Sequence, residues 1–182
     1  IENNSISNAG GWGGGWSIYL TGNSASNLIY GNALSRANLD SLIELANTSN
    51  NMIAGNYLYA AAPNTSGLIN ASGTSNPSNI ISGNKVWHYG SNAIFFDGGS
   101  VCGNCTVRGN YLHHGGQGVT LYQNNGTLLL ANNKMRFLSG QALGLQTTTG
   151  LGVTVLGDFY YCSSVGLLVD GQTTGSLWAT MS

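Results

Sequence analysis

One period governs this chain. YGNAL, AGNYL, SGNKV, RGNYL, ANNKM and LGDFY place Asn32, Asn56, Asn84, Asn110, Asn133 and Asp158 at one equivalent position, in steps of 24, 28, 26, 23 and 25 residues. Asn4 in ENNSI extends the series back by 28. A second series, SIYLTG, LIELAN, LINASG, AIFFDG, GVTLYQ, ALGLQT and GLLVDG, leads with Ile18, Ile43, Ile69, Ile94, Val119, Leu143 and Leu167, separated by 25, 26, 25, 25, 24 and 24. Two registers with nearly the same period mean seven copies of one unit. A unit this short cannot bury its own apolar face, so it must stack on its neighbours.

Within each unit the apolar residues alternate, which suits strands and not helices. Ile29, Ile53, Ile81, Val107, Leu130 and Val155 precede the Gly-Asn turn, and Leu34, Leu58, Val86, Leu112 and Met135 follow it. Both columns are expected to face inward. The second series should point Ile18 and Leu20, Ile43 and Leu45, or Ile94 and Phe96 inward, with Tyr19, Glu44, Asn70, Phe95 and Thr120 facing out. The expected fold is all-β: a single domain over residues 1–182, a single-stranded parallel β-helix of about seven coils of about 25 residues. Coils stack roughly 4.8 Å apart, so like residues form columns. The position after Gly is read as a left-handed corner, which Asn tolerates, and stacked Asn side chains can hydrogen-bond from coil to coil. Asp158 interrupts the Asn column, and Asn132 stands where other coils have Gly.

Composition excludes several classes. Only 6% of residues are charged and the net charge is −1, so five scattered Lys and Arg leave no footprint for a nucleic-acid backbone. No apolar run approaches the roughly 18 residues of a membrane helix, and recurrent Ile, Leu, Val and aromatic residues argue against disorder. Ile1 opens inside the pattern without Met, and GSLWATMS resembles the start of another strand, so the chain reads as a piece of a longer protein.

The repeats resemble the right-handed parallel β-helix coils of the pectin-lyase-like superfamily, which read apolar-x-Gly-Asn-x-apolar and then Gly-apolar-x-apolar. The likeness runs from Ile1 to about Val169. It implies fold more than function, since such coils carry lyases, hydrolases, epimerases, adhesins and phage tailspikes. Low charge with dense Gly, Asn, Ser and Thr looks most like a tailspike or tail-fibre β-helix. That resemblance implies a homotrimer or attachment to further domains, and an extracellular or virion-surface location.

Candidate chemistry follows the columns. Glycoside hydrolysis uses two carboxylates roughly 5 to 9.5 Å apart. The acids are Glu2, Asp40, Glu44, Asp97, Asp158 and Asp170. Glu44, on an outward strand position, and Asp97, in an Asp-Gly turn, are the catalytic candidates, although about 12 Å should separate their backbones. The column after the turn Asn reads Ala33, Tyr57, Lys85, Tyr111, Lys134, Phe159, alternating ring and cation; its bland reading is cation–π stacking along the ladder. Two positions on, Tyr59, Trp87, His113, Arg136 and Tyr161 are expected to face solvent. Tyr57, Lys85, Trp87, Tyr111, His113, Lys134 and Arg136 together suggest a groove for an extended, acidic polysaccharide. Lys85, Arg108, Lys134 and Arg136 are also lyase candidates.

His88 and His114 share one column with Arg36, Ala60, Phe137 and Cys162, which offers no metal-ligand set, so stacked imidazoles at a corner are expected and no metal or cofactor is. Cys102 and Cys105 flank Gly-Asn in a loop between coils, as a local disulfide or free thiols, with Cys162 left over. GGWGGGW, residues 10–16, reads as a loop with two indoles. Three functions remain open: a surface module recognising polysaccharide without chemistry, a polysaccharide lyase or glycoside hydrolase, and a purely structural stalk or adhesin. The partner is a polysaccharide or cell-surface glycan in the first two, with no nucleic acid and no membrane insertion.

Overall fold

A computed structural model describes residues 1–7, 15–36, 41–60, 67–99, 101–146, 150–162, 164–169 and 178–181. Among them the backbone forms two parallel sheets and no helix. The seven-stranded sheet stacks Leu28–Tyr30, Met52–Ala54, Ile80–Ser82, Val101–Arg108, Asn125–Ala131, Leu151–Leu156 and Trp178–Met181. The twelve-stranded sheet has two limbs. Its first limb includes Ala33–Arg36, Tyr57–Ala60 and Lys134–Leu138, and its second includes Ile43–Ala46, Gly67–Ser72 and Leu143–Gln146. Lys85–Phe96 and Tyr111–Tyr122 run through both limbs. From Asn4 to Asp158 the path makes six full turns, each crossing the three faces in the same order.

The register reproduces the columns. Ile29, Ile53, Ile81, Val107, Leu130 and Val155 align rung by rung, as do Ile6, Leu34, Leu58, Val86, Leu112 and Met135 on the first limb. On the second limb, Ile18, Ile43, Ile69, Ile94, Val119, Leu143 and Leu167 align in the same way. These columns converge on one core, which closes most of its side chains to water. Each buried Leu or Ile contributes about 1.5–3 kcal/mol.

Asn side chains hold the corner between the seven-stranded sheet and the first limb. Asn84 shows the pattern: its Oδ1 accepts from the Asn56 backbone N–H at 2.9 Å and from Asn56 Nδ2 at 3.0 Å. Its own Nδ2 donates to Asn110 Oδ1 at 3.0 Å and to the Ile53 carbonyl at 2.9 Å. All four side-chain bonding positions are used in a corner that water does not reach. The ladder runs from Asn4 to Asp158, which accepts from Asn133 but has no amide to pass the bond onward. Asp158 therefore ends the ladder.

Several expectations need correction. The left-handed residue at this corner is the Gly, with φ of 62° at Gly55 and Gly83 and 61° at Gly109, and the following Asn is not left-handed. Asn132 takes that place with φ 56°, a backbone that Asn tolerates. A second left-handed corner lies at His88, His114 and Phe137, with φ of 49°, 53° and 55°, and it divides the two limbs. Cys162 pairs opposite Leu138, one place from the Phe137 column, because the strand shifts register there. Cys102 and Cys105 lie within a strand, not a loop, and form a buried disulfide.

A further ladder lies five residues before Asn32, Asn56 and Asn84. Asn27 Nδ2 donates to Asn51 Oδ1 at 2.9 Å, and Asn51 Nδ2 to Asn79 Oδ1 at 3.1 Å. Cys105 takes the next place in that column. Its signal was present in NLIYGN, NMIAGN and NIISGN.

Asn84→Ala should cost roughly 3 kcal/mol, because it strands the buried Asn56 donors and the Ile53 carbonyl without partners. Asn4→Ala, at the exposed end of the same ladder, should cost under about 1 kcal/mol. Urea unfolding of both variants checks the ratio, and equal losses would contradict a cooperative buried ladder.

Candidate functional site

The outward side of the first limb collects most of the predicted site. Register places Tyr57, Lys85, Tyr111 and Lys134 in one column, and Tyr59, Trp87, His113, Arg136 and Tyr161 in the next. Strand alternation turns both columns away from the core, while the interleaved Leu58, Val86, Leu112 and Met135 are buried. Lys85, Lys134 and Arg136 are exposed, and Tyr111, Lys134 and Arg136 line a cleft of about 380 Å³ with Gly109, Asn110 and Asn132. Arg108 lies on the seven-stranded sheet, across the Gly109 corner, and is not part of this face.

Ring contacts run along a strand, between register partners and diagonally between the two columns, rather than as a ladder of cations over rings. Tyr111 stacks on His113 at 4.4 Å and 20°, and Trp87 lies 4.5 Å from the same imidazole. Tyr57 meets Trp87 edge-on at 6.4 Å. At the left-handed corner His88 and His114 stack at 5.6 Å and 10°, and Phe137 extends the patch from His114 to Tyr161. The rings thus form one patch over about 19 Å of helix axis. His113 does not face solvent as expected: it is 7% exposed, closed in by Tyr111 and Trp87. Desolvation holds its pKa below the ordinary value, assisted by repulsion from His114, His88 and Lys85. Trp87 Nε1 is buried without an acceptor.

The two predicted carboxylates lie elsewhere, on the second limb. Glu44 points away from the core, yet with Asn70 and Thr120 it is buried, contrary to the expected outward exposure. Its carboxylate accepts from Asn70 Nδ2 at 2.9 Å and from the Ser72 hydroxyl. Asp97 follows Phe96, whose register partner Ala71 precedes Ser72, so two coils separate the acids. Desolvation raises both pKa values, and at Glu44 hydrogen bonds from Ser72 and Asn70 oppose the rise while Asp97 adds to it. A carboxyl 4% exposed and already hydrogen-bonded is poorly placed to meet a sugar oxygen. Asp40, Asp170 and residues 10–14 of the GGWGGGW loop lie outside the described residues, as do the side chains of Arg36, Phe159 and Cys162.

Sequence reasoning missed the ring contacts across columns and the pairing of His113 with His114, whose Nδ1 atoms lie 2.8 Å apart. Column assignment showed which residues stack vertically. The corner at His88 and His114, which turns their rings back toward the first limb, had no signal in residue type.

Because its folded pKa lies above the unfolded value, Glu44 destabilises the fold as pH rises through the window between them. Glu44→Gln keeps an acceptor for Asn70 Nδ2 and removes the charge that burial disfavours. The variant should match the wild type near pH 4 and melt higher than it at pH 7.5, and paired thermal melts test this. A variant less stable at the higher pH would contradict the assignment.

No characterised protein and no solved structure matches the chain. A family model does match, covering residues 1–159 and described as "Right handed beta helix region". With its parallel coils, its stacked core and this match over most of its length, the chain belongs to the right-handed β-helix family.

Proposed function

We propose that the outer face of the first limb binds an extended polysaccharide, and that the chain is a recognition module of a virion or cell surface, of the tailspike or tail-fibre kind. The observation that carries this reading is the unbroken patch of rings from Tyr57 through Trp87, His113 and Tyr111, flanked by Lys85, Lys134 and Arg136. Flat rings offer apolar surface to the C–H faces of sugars, and cations and imidazoles offer donors to hydroxyl and carboxylate oxygens. Strand-borne side chains lose little freedom on binding, which favours a repetitive, weakly adhesive ligand. On this reading the module works outside the cell, as a homotrimer or joined to further domains.

A lyase or hydrolase built on Glu44 and Asp97 has less support, because Glu44 is enclosed and its carboxylate already bonded. The deciding experiment incubates the protein with bacterial-surface and plant polysaccharides, following both retained binding and chain length. Retention without shortening is expected. Trp87→Ala and Tyr111→Ala should each weaken retention about tenfold or more, with far-UV circular dichroism unchanged. Wild-type affinity in both variants would remove the ring patch from the site, and shortened chains would replace recognition with catalysis.

A further inference from the structure

The three histidines do more on this face than add ring area, and the role assigned to them rests on the reading of the face as a ligand surface. His113 is wedged between Tyr111 and Trp87, with its Nδ1 2.8 Å from Nδ1 of His114. Two ring nitrogens at that distance form a hydrogen bond only when one carries a proton and the other a lone pair. Two imidazoliums would set N–H against N–H and charge against charge, so the contact cannot survive full protonation of the pair. His114 can leave it: its ring is exposed, on a left-handed corner, and besides its partner it meets the rings of His88, Phe137 and Trp87.

The surroundings are uniformly positive. From the strand on one side come Lys85 and His88, and from the strand on the other Lys134 and Arg136; Tyr111 is the remaining titratable neighbour, on the same strand. The described carboxylates sit elsewhere: Glu2 in the first coil, Glu44 and Asp97 on the second limb, and Asp158 at the end of the Asn ladder.

We infer that the His113–His114 pair is a proton-operated lock on this face, closed by the Nδ1–Nδ1 hydrogen bond near neutral pH and opened when both rings are protonated, and that the opened face retains an anionic glycan more tightly. Each step transfers one proton from hydronium to a ring nitrogen: an O–H bond breaks, an N–H bond forms and water is left. Opening releases His114, which joins His88, Lys85 and Arg136 as a cluster of cations. Protein stability moves the other way. A histidine with its folded pKa below the unfolded value costs stability as pH falls through that interval, and His113 is shifted in this direction.

Two measurements test the inference. Histidine-ring NMR of the ligand-free protein, from about pH 8 to 4.5, should show the pair taking its second proton at least about one pH unit below the first. In His114→Asn, a residue that tolerates the left-handed backbone, His113 should titrate as a single group nearer its ordinary value. Three independent titrations near the ordinary histidine value in the wild type would overturn the lock.

Retention on carboxymethyl-dextran, compared with dextran, reads the gating. The wild type should hold the anionic matrix about tenfold more tightly at pH 5 than at pH 7.5, with dextran unchanged, since the carboxymethyl groups stay ionised throughout. The gain should disappear in the double variant His88→Asn/His114→Asn. Equal retention at the two pH values, or an undiminished gain in the double variant, would overturn the gating. The reading of the face as a glycan surface stands or falls separately, on the polysaccharide panel and the Trp87 and Tyr111 variants.

Discussion

The structure depends on the side-chain amide ladder that stitches one coil corner to the next. A parallel solenoid pairs its backbone between coils, but at the corner the chain turns and the regular pairing is interrupted. Each Asn there supplies what the turn removes, accepting twice from the preceding coil and donating to the following one and to a backbone carbonyl. Buried amides left unpaired would cost more than the corner could bear. The ladder therefore also fixes register: a slipped coil would break four hydrogen bonds at once. The apolar columns fall into line behind that constraint, and the core is their sum.

Register in turn decides what the surface can do. Once the corners are locked, residues one period apart are held about 4.8 Å from each other, close enough for rings to touch and for like charges to repel. The first limb carries rings and cations on adjacent columns, so they become a patch. The second limb carries Glu44 beside Asn70 and Ser72, so a carboxylate becomes a hydrogen-bonded, desolvated group within the sheet's outer row. The same stacking rule produces a ring-rich surface on one limb and an internal polar cluster on the other. The difference lies in which side chains each row carries and in what closes over them.

The left-handed corner between the limbs links these two outcomes. His88, His114 and Phe137 all occupy it, and its geometry turns their rings toward the first limb. Their density beside Trp87 and Tyr111 makes the face both aromatic and titratable. On the proposed reading as a ligand surface, the positive charge around the rings would suit an anionic partner.

Much of this was determined by the sequence alone. A period near 25 with apolar alternation leaves stacked parallel coils as the way to bury every unit, and the Asn series names the corner and its hydrogen bonds, because both rules act along the chain and between adjacent copies. The vertical neighbours of Trp87, Tyr111 and His113 were legible for the same reason. Tertiary structure decided the rest. Whether Glu44 faces water, whether His113 is enclosed, how rings meet across columns, and that Gly rather than Asn takes the left-handed turn all depend on backbone angles and on which surfaces close over a row. Those are properties of packing in three dimensions, and a residue's place in a repeat says which neighbours lie above and below it but not what covers it.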